Sequence, residues 1–231
     1  LGFNANMLAN EMFLDSSSIR SSIVSHAKTL GYTPTSARAS KAIVDVTLNT
    51  TDSSLTMPAG TVFNTTVDGT TYKFSTITDV TKSNTGNSIP FLNTDIYEGT
   101  FITTRYTVDS SDIDQRFLLT DNRADTTTLT VKVQTSSSDS TTTTYTEATD
   151  ITQVTASSNV YFLQEVEAGL FEIYFGDGVI GSALSDGNII ILTYIVSNKS
   201  LANGASLFTN AATIASVSDV ATATVAAASA G

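Results

Sequence analysis

From Lys41 onward the apolar residues of this chain recur at every second position. Val44, Val46 and Leu48 alternate with Asp45, Thr47 and Asn49, and Leu129, Val131 and Val133 alternate with polar residues further along. Successive side chains of an extended strand leave on opposite faces, so a period of two gives one apolar face and one polar face. A helix of 3.6 residues per turn would scatter the same pattern around its whole surface. The residue types agree with the spacing. The chain has 40 Thr and 29 Ser among 231 residues, and only 14% of it is charged. The β-branched Thr side chain suits a pleated, half-buried surface. The expected fold is mainly β with a short N-terminal helical segment (α+β), built as several small antiparallel β subdomains.

The helical pattern is confined to residues 1–33. Phe3, Met7, Leu8 and Met12 have the spacing of one face of a short helix. Asp15 to Ser18 offer N-cap side chains, and Ile19, Ile23, Ala27 and Leu30 form the stripe of a second helix. Gly31 stands at the usual C′ position, and Pro34 bars resumption. Two short amphipathic helices are marginal alone and must pack on something. Phe3, Met7, Met12, Ile19 and Ile23 are therefore candidates for a helical interface with a partner.

Turn residues punctuate the rest. Leu55 and Met57 lead into Pro58-Ala59-Gly60, and Asp68-Gly69 marks a hairpin into Tyr72 and Phe74. Residues 82–93 read as a connection, with strands expected over 100–108, 116–120 and 129–133. Residues 136–144 are a Ser/Thr/Asp tract with no apolar side chain and read as a mobile loop, with a mucin-like glycosylated stalk as the alternative. Residues 160–166 and 170–175 are apolar-aromatic runs parted by Glu167-Ala168-Gly169, a hairpin signature. Gly176, Asp177, Gly178 and Gly181 close the second run. Residues 189–196 form a nearly continuous apolar strand, and Asn203-Gly204-Ala205 turns the chain again. Phe162, Phe171, Phe175 and Tyr194 are expected in cores. In domain terms, 1–33 supplies helices for a partner bundle, and 34–81 with 156–210 shares one β scaffold. Residues 82–155 form an inserted β subdomain, and 211–231 connects to further chain. The opening Leu1 and the unpunctuated end both read as a piece of a longer protein.

Chemistry is sparsely provided for. There is no Cys, which removes thiolate metal sites and thiol nucleophiles, and there is one His. With 11 Lys+Arg against 22 Asp+Glu the net charge is −11, the wrong sign for a nucleic-acid surface. No run of about 18 apolar residues suggests a membrane span. Asp177 between two glycines could present a carboxylate to Ca²⁺. It lacks the spaced oxygen ligands such a loop needs, so a structural turn is the reading taken. Asp109, Asp112, Asp114 and Asp121 form one acidic cluster, and Glu165, Glu167 and Glu172 another. Paired carboxylates can hydrolyse glycosides, but no Trp is present to line a sugar cleft, and solvated loops or cross-strand surface pairs are expected instead. The Asn-x-Ser/Thr triplets at Asn49, Asn64 and Asn198 are frequent by chance in so Thr-rich a chain. The reading is of a protein that is not an enzyme, with no cofactor, no catalytic residues and no metal ligands.

Several motifs in fixed order carry a family resemblance. They are Ala27-Lys28-Thr29-Leu30-Gly31-Tyr32-Thr33-Pro34, the strand Lys41-Ala42-Ile43-Val44-Asp45-Val46-Thr47-Leu48, and Met57-Pro58-Ala59-Gly60-Thr61-Val62-Phe63. Then come Tyr72-Lys73-Phe74-Ser75-Thr76, Phe171-Glu172-Ile173-Tyr174-Phe175-Gly176-Asp177-Gly178-Val179-Ile180-Gly181, Asp186-Gly187-Asn188 and Asn203-Gly204-Ala205. This set resembles the baseplate J-like family of contractile tails, in particular the large baseplate wedge proteins of T-even-type phages, with 82–155 as a variable insertion. The resemblance implies a non-enzymatic virion protein of the tail baseplate, assembled in the host bacterial cytoplasm. It also implies other wedge subunits as partners, a homodimer within each wedge, a place in a ring, and no nucleic acid or membrane partner. The N-terminal helices and the β arm would join neighbouring wedge proteins. The structural turns carried by these motifs are Pro58, Gly60, Gly176, Asp177, Gly178, Gly181, Asn203 and Gly204. A tail adhesin or glycan-binding β module is the alternative, and aromatic residues on an exposed β face would favour it.

Overall fold

A computed structural model describes residues 11–13, 15–29, 35–112, 114–210 and 212–231. The protein is mainly β. One helix, α1 (Arg20–Thr29), precedes β1 (Lys41–Asn49), β2 (Ser54–Met57), β3 (Val62–Val67), β4 (Thr70–Ser75) and β5 (Val80–Ser83). Next come β6 (Ser88–Glu98), β7 (Thr100–Thr107), β8 (Phe117–Leu118), β9 (Ala124–Gln134) and β10 (Thr142–Glu147). The last five are β11 (Val160–Glu165), β12 (Phe171–Phe175), β13 (Ile189–Val196), β14 (Thr209–Asn210) and β15 (Val220–Ser229). Sheet orders are β14-β3-β4-β6-β1-β15, β7-β13-β9-β10-β11-β12-β8, and the ribbon β2-β5. The chain divides into two units: Leu1–Ser36 with Thr104–Asn122 and Thr130–Ile191, and Ala37–Thr103 with Arg123–Leu129 and Leu192–Gly231.

The second of these units is organised by β1. Its alternation appears directly as burial, with Val44, Val46 and Leu48 all fully buried and their neighbours partly exposed. β1 pairs antiparallel with β6 on one side and β15 on the other. Met57, Phe63, Phe74, Ile89, Phe91 and Ile96 complete the core, and Phe74 meets Phe208 edge-on at 4.9 Å. Asp68 and Gly69 both take positive φ, the two-residue turn whose twist matches a hairpin, and join β3 to β4. The Pro58 carbonyl accepts the N–H of Thr61 and the hydroxyls of Thr61 and Thr76, which fixes the expected turn. At the other turn, Asn203 Oδ1 accepts from Ser40 Oγ at 2.8 Å, while Gly204 N–H donates to the Ala228 carbonyl.

The first unit holds the expected hairpin. β11 and β12 pair antiparallel from Glu165–Phe171 to Tyr161–Phe175, with a 3-10 turn at Glu167–Gly169 between them. β8 adds to β12, and β10 lies parallel to β11 and antiparallel to β9. An edge-on chain of rings runs Tyr106, Phe117, Phe175, Tyr145. Phe171 is buried as expected, whereas Phe162 and Phe175 are half-buried. In β13, whose residues from Leu192 onward belong to the second unit, Ile190, Leu192, Tyr194, Ile195 and Val196 are buried, on both faces from Tyr194 onward.

The expected domain boundaries are replaced. Residues 82–155 are not an insertion carried on a scaffold of 34–81 and 156–210. β6 pairs with β1 along most of its length, and β8, β9 and β10 share a sheet with β11 and β12. Pro90 suggested a connection, but it lies where β6 is paired with β1 alone, beyond the short contact with β4, so its missing N–H is tolerated. Residues 220–229 form β15, an integral strand and not a mere connection. Residues 136–144 are not a free loop either. Thr142, Thr143 and Thr144 pair with Gln134, Val133 and Lys132, anchored by buried Tyr145, and a short turn through Asp139 closes the hairpin.

Candidate functional site

Of the expected helical interface, Phe3 and Met7 lie outside the described residues, as do Leu8, Leu30, Gly31 and Pro34. The remaining members are open to water: Met12 is 68% exposed, Ile19 40% and Ile23 38%. Phe13, which periodicity did not single out, is 67% exposed and joins them. The polypeptide reaches α1 through Glu11, whose carboxylate accepts the N–H groups of Ser18 and Ile19 and the Ser18 hydroxyl. These hydrogen bonds, the Ser18 amide first, hold the Glu11 carboxyl down at about 2. Ser18 was an expected N-cap acceptor; its hydroxyl donates instead, because Glu11 brings a full negative charge to the amides ahead of the helix.

Among the described residues an ion pair moors α1 to the sheet. Arg20 Nε and Nη2 donate to the two carboxylate oxygens of Glu165 at 2.9 Å each. The Glu165 side chain is 2% exposed and that of Arg20 63%. A groove of about 670 Å³ runs beside the pair, bordered by Ile19, Val24, Val166 and Ala168. The helix thus shows water an apolar edge while its arginine reaches into the sheet.

The second acidic cluster departs from expectation. Glu165 and Glu172 are buried, each gripped by an arginine fork, and only Glu167 is exposed. Arg116 donates twice to Glu172 at 2.7 Å, and the Tyr174 hydroxyl donates to the same carboxylate. The Arg116 guanidinium holds the Glu172 carboxyl below the usual range, against the opposing effect of burial. The two glutamates lie on opposite faces of the β11–β12 hairpin, Glu165 opposite Phe171 and Glu172 opposite Gln164, and each is buried where a lone carboxylate would be costly. The Asp109 and Asp112 carboxylates, by contrast, cap their own loop, accepting from Ser111 and Asp114.

Asp177 does what a turn residue does. Its Oδ1 accepts the N–H groups of Val179 and Ile180 at 2.9 Å, which lowers its pKa. Gly178 takes φ +85°, and a Cβ on Gly176 would stand 2.3 Å from the Gly181 carbonyl carbon. Gly176, Asp177, Gly178 and Gly181 are thus brought together, while Pro58 and Gly60, and Asn203 and Gly204, form separate turns in the other unit. Asn198 spends its amide on buried Glu98, with Nδ2 and N–H donating to the two carboxylate oxygens. Among the described residues no group of three or more His, Asp or Glu is placed to hold a metal ion, and no helix is long and apolar enough to cross a membrane. On the described strands Tyr174 is the one aromatic among the exposed large side chains.

Two comparisons bear on kinship. Residues 101–206 match the family described as bacteriophage baseplate wedge protein gp6, third domain. That span includes most of the stretch expected to be a variable insertion. Across 234 aligned residues, covering 92% of this chain and 34% of the relative, the chain is 25% identical to baseplate wedge protein gp6 of Enterobacteria phage T4. It therefore spans about a third of the length of the curated relative it matches. Both matches are to bacteriophage baseplate wedge proteins.

Proposed function

We propose that this chain is part of a structural subunit of a contractile phage tail baseplate wedge, of the baseplate J-like kind. The similarity to a baseplate wedge protein along 92% of the chain carries the reading. The geometry agrees with it. The charged side chains most deeply placed in the first unit are locked in structural pairs, and Met12, Phe13, Ile19 and Ile23 face water. An apolar helix edge moored by one arginine fork suits a contact completed by another subunit. In this reading the N-terminal helical segment and the β body join neighbouring wedge proteins, with pairing within each wedge and a ring of wedges in the virion. Assembly takes place in the host cytoplasm.

The test is to place Ile19→Glu and Ile23→Glu in the full-length protein. Purified variant should keep the wild-type far-ultraviolet circular dichroism while baseplates fail to accumulate in producing cells. Normal baseplates containing the doubly charged variant would refute the helical interface. Absence of the wild-type chain from purified tails would refute the assembly role itself.

A further inference from the structure

We infer that the Asp177 turn is a rigid apolar knob by which this chain grips a second, different protein, an inference that deepens the assembly reading and rests on it. Val179 is 73% exposed and Ile180 43%. Turn tips favour Gly, Pro, Asn, Asp and Ser, yet here two adjacent branched apolar side chains stand open to water, Val179 the more so. The backbone beneath them is held from several directions. Asp177 Oδ1 takes both their N–H groups at 2.9 Å, and Gly178 N–H donates to the Gly181 carbonyl at 3.0 Å. Gly181 N–H donates to Thr155 O at 3.1 Å and Ser182 N–H to Ser158 O at 2.8 Å. The backbone of Gly176 lies so close to Gly181 that no side chain fits between them. None of these bonds uses the Val179 or Ile180 side chain. A tip already fixed has little ordering entropy left to lose on binding, which is what an interface anchor requires.

Charge selects the occupant. Gly176, at the root of the knob, also lines a shallow cleft of about 270 Å³ with Phe117, Phe175 and Leu184. The charged residues of that cleft are Asp112 and Glu172, and Glu172 is already matched by Arg116. With Asp112 and Asp177 the rim is negative. A second copy of this chain, net −11, would set like charge against like. The fitting partner is another protein with an apolar socket edged by Lys or Arg.

Photo-cross-linking tests this. With p-benzoylphenylalanine at position 179 of the full-length protein in assembled particles, irradiation should join it to one dominant peptide of another protein, apolar and flanked by Lys or Arg. Adding Ile180→Asp should cut the yield about tenfold, the loss of one anchor side chain, and Asp112→Lys should reduce it too. Purified Ile180→Ser should melt within about 2 °C of wild type, since surface substitutions change stability little. Cross-links confined to this chain or its copies, a yield indifferent to Ile180→Asp, or a large fall in melting temperature for Ile180→Ser would overturn the knob. If the wild-type chain is absent from tail particles, the assembly reading fails, and the same cross-linking in intact producing cells still decides the knob.

Discussion

Removing the guanidinium from Arg116 should destabilise the first unit by about 2 kcal/mol at neutral pH. Breaking a fully buried ion pair by deleting one partner costs about 3–5 kcal/mol, because the charge left behind has lost its compensation. Here the loss is smaller for two reasons. The Arg116 side chain is 53% exposed against 4% for Glu172, so water already screens one end of the pair. Tyr174 also continues to donate to the Glu172 carboxylate at 2.7 Å in the variant. Urea unfolding of Arg116→Ala, followed by far-ultraviolet circular dichroism, measures the cost, and a cycle with Glu172→Gln isolates the coupling between the pair. The pH dependence supplies an independent check. Glu172 has a folded pKa lowered from the usual 4.5, so its pairing stabilises the fold above that pH and is lost as pH falls through the folded value. The penalty of Arg116→Ala should therefore shrink progressively below pH 4.5. A cost under about 0.5 kcal/mol at pH 7, the scatter of ordinary surface substitutions, would refute the reasoning, as would a cost that does not change on acidification.

Three further outcomes follow from the same geometry. Gly176→Ala and Gly178→Val should each cost roughly 2 kcal/mol or more, from close approach and positive φ respectively, while Asp177→Asn, which keeps the accepting oxygen, stays within about 0.5 kcal/mol; thermal unfolding separates these. The amide resonances of Ser18 and Ile19 should titrate with Glu11 at about 2, so that this contact persists as pH falls past 4.5 and is lost near 2; a midpoint at 4.5 would show that the contact does not form. Leu48→Ala, at a fully buried position of β1 between Ile89 and Val220, should cost about 2–5 kcal/mol in chemical denaturation.

The strands were legible where period and turn chemistry spoke together. The alternation at Val44, Val46 and Leu48, the Asp68-Gly69 turn and the hairpin around Glu167-Ala168-Gly169 each follow from a few adjacent residues. Which strand lies beside which was not legible, because pairing is decided by contacts between distant segments. Ile89, Phe91 and Ile96 are spaced to bury one face apart from a slip at Asn93, where β6 bulges against Asp45 beside the outward-facing Leu92. With Pro90 beside it, that slip made a central strand look like a connection. The polar tract before Tyr145 misled for a related reason: hydroxyl side chains tolerate pairing even without apolar neighbours, provided one aromatic residue anchors the strand. The arginine forks were missed because Arg20 and Arg116 lie far in sequence from Glu165 and Glu172. The only local hint was a lone arginine set in a hydroxyl-rich stretch.

The central claim is that residues 12–23 and the β body of this chain are built into a tail baseplate beside other subunits. A cryo-electron-microscopy reconstruction of purified particles carrying the full-length protein tests it most directly. The account predicts density for both β units in the baseplate, with Met12, Phe13, Ile19 and Ile23 buried against a neighbouring subunit. A reconstruction that leaves those four side chains facing solvent, or a baseplate without this chain, would contradict it.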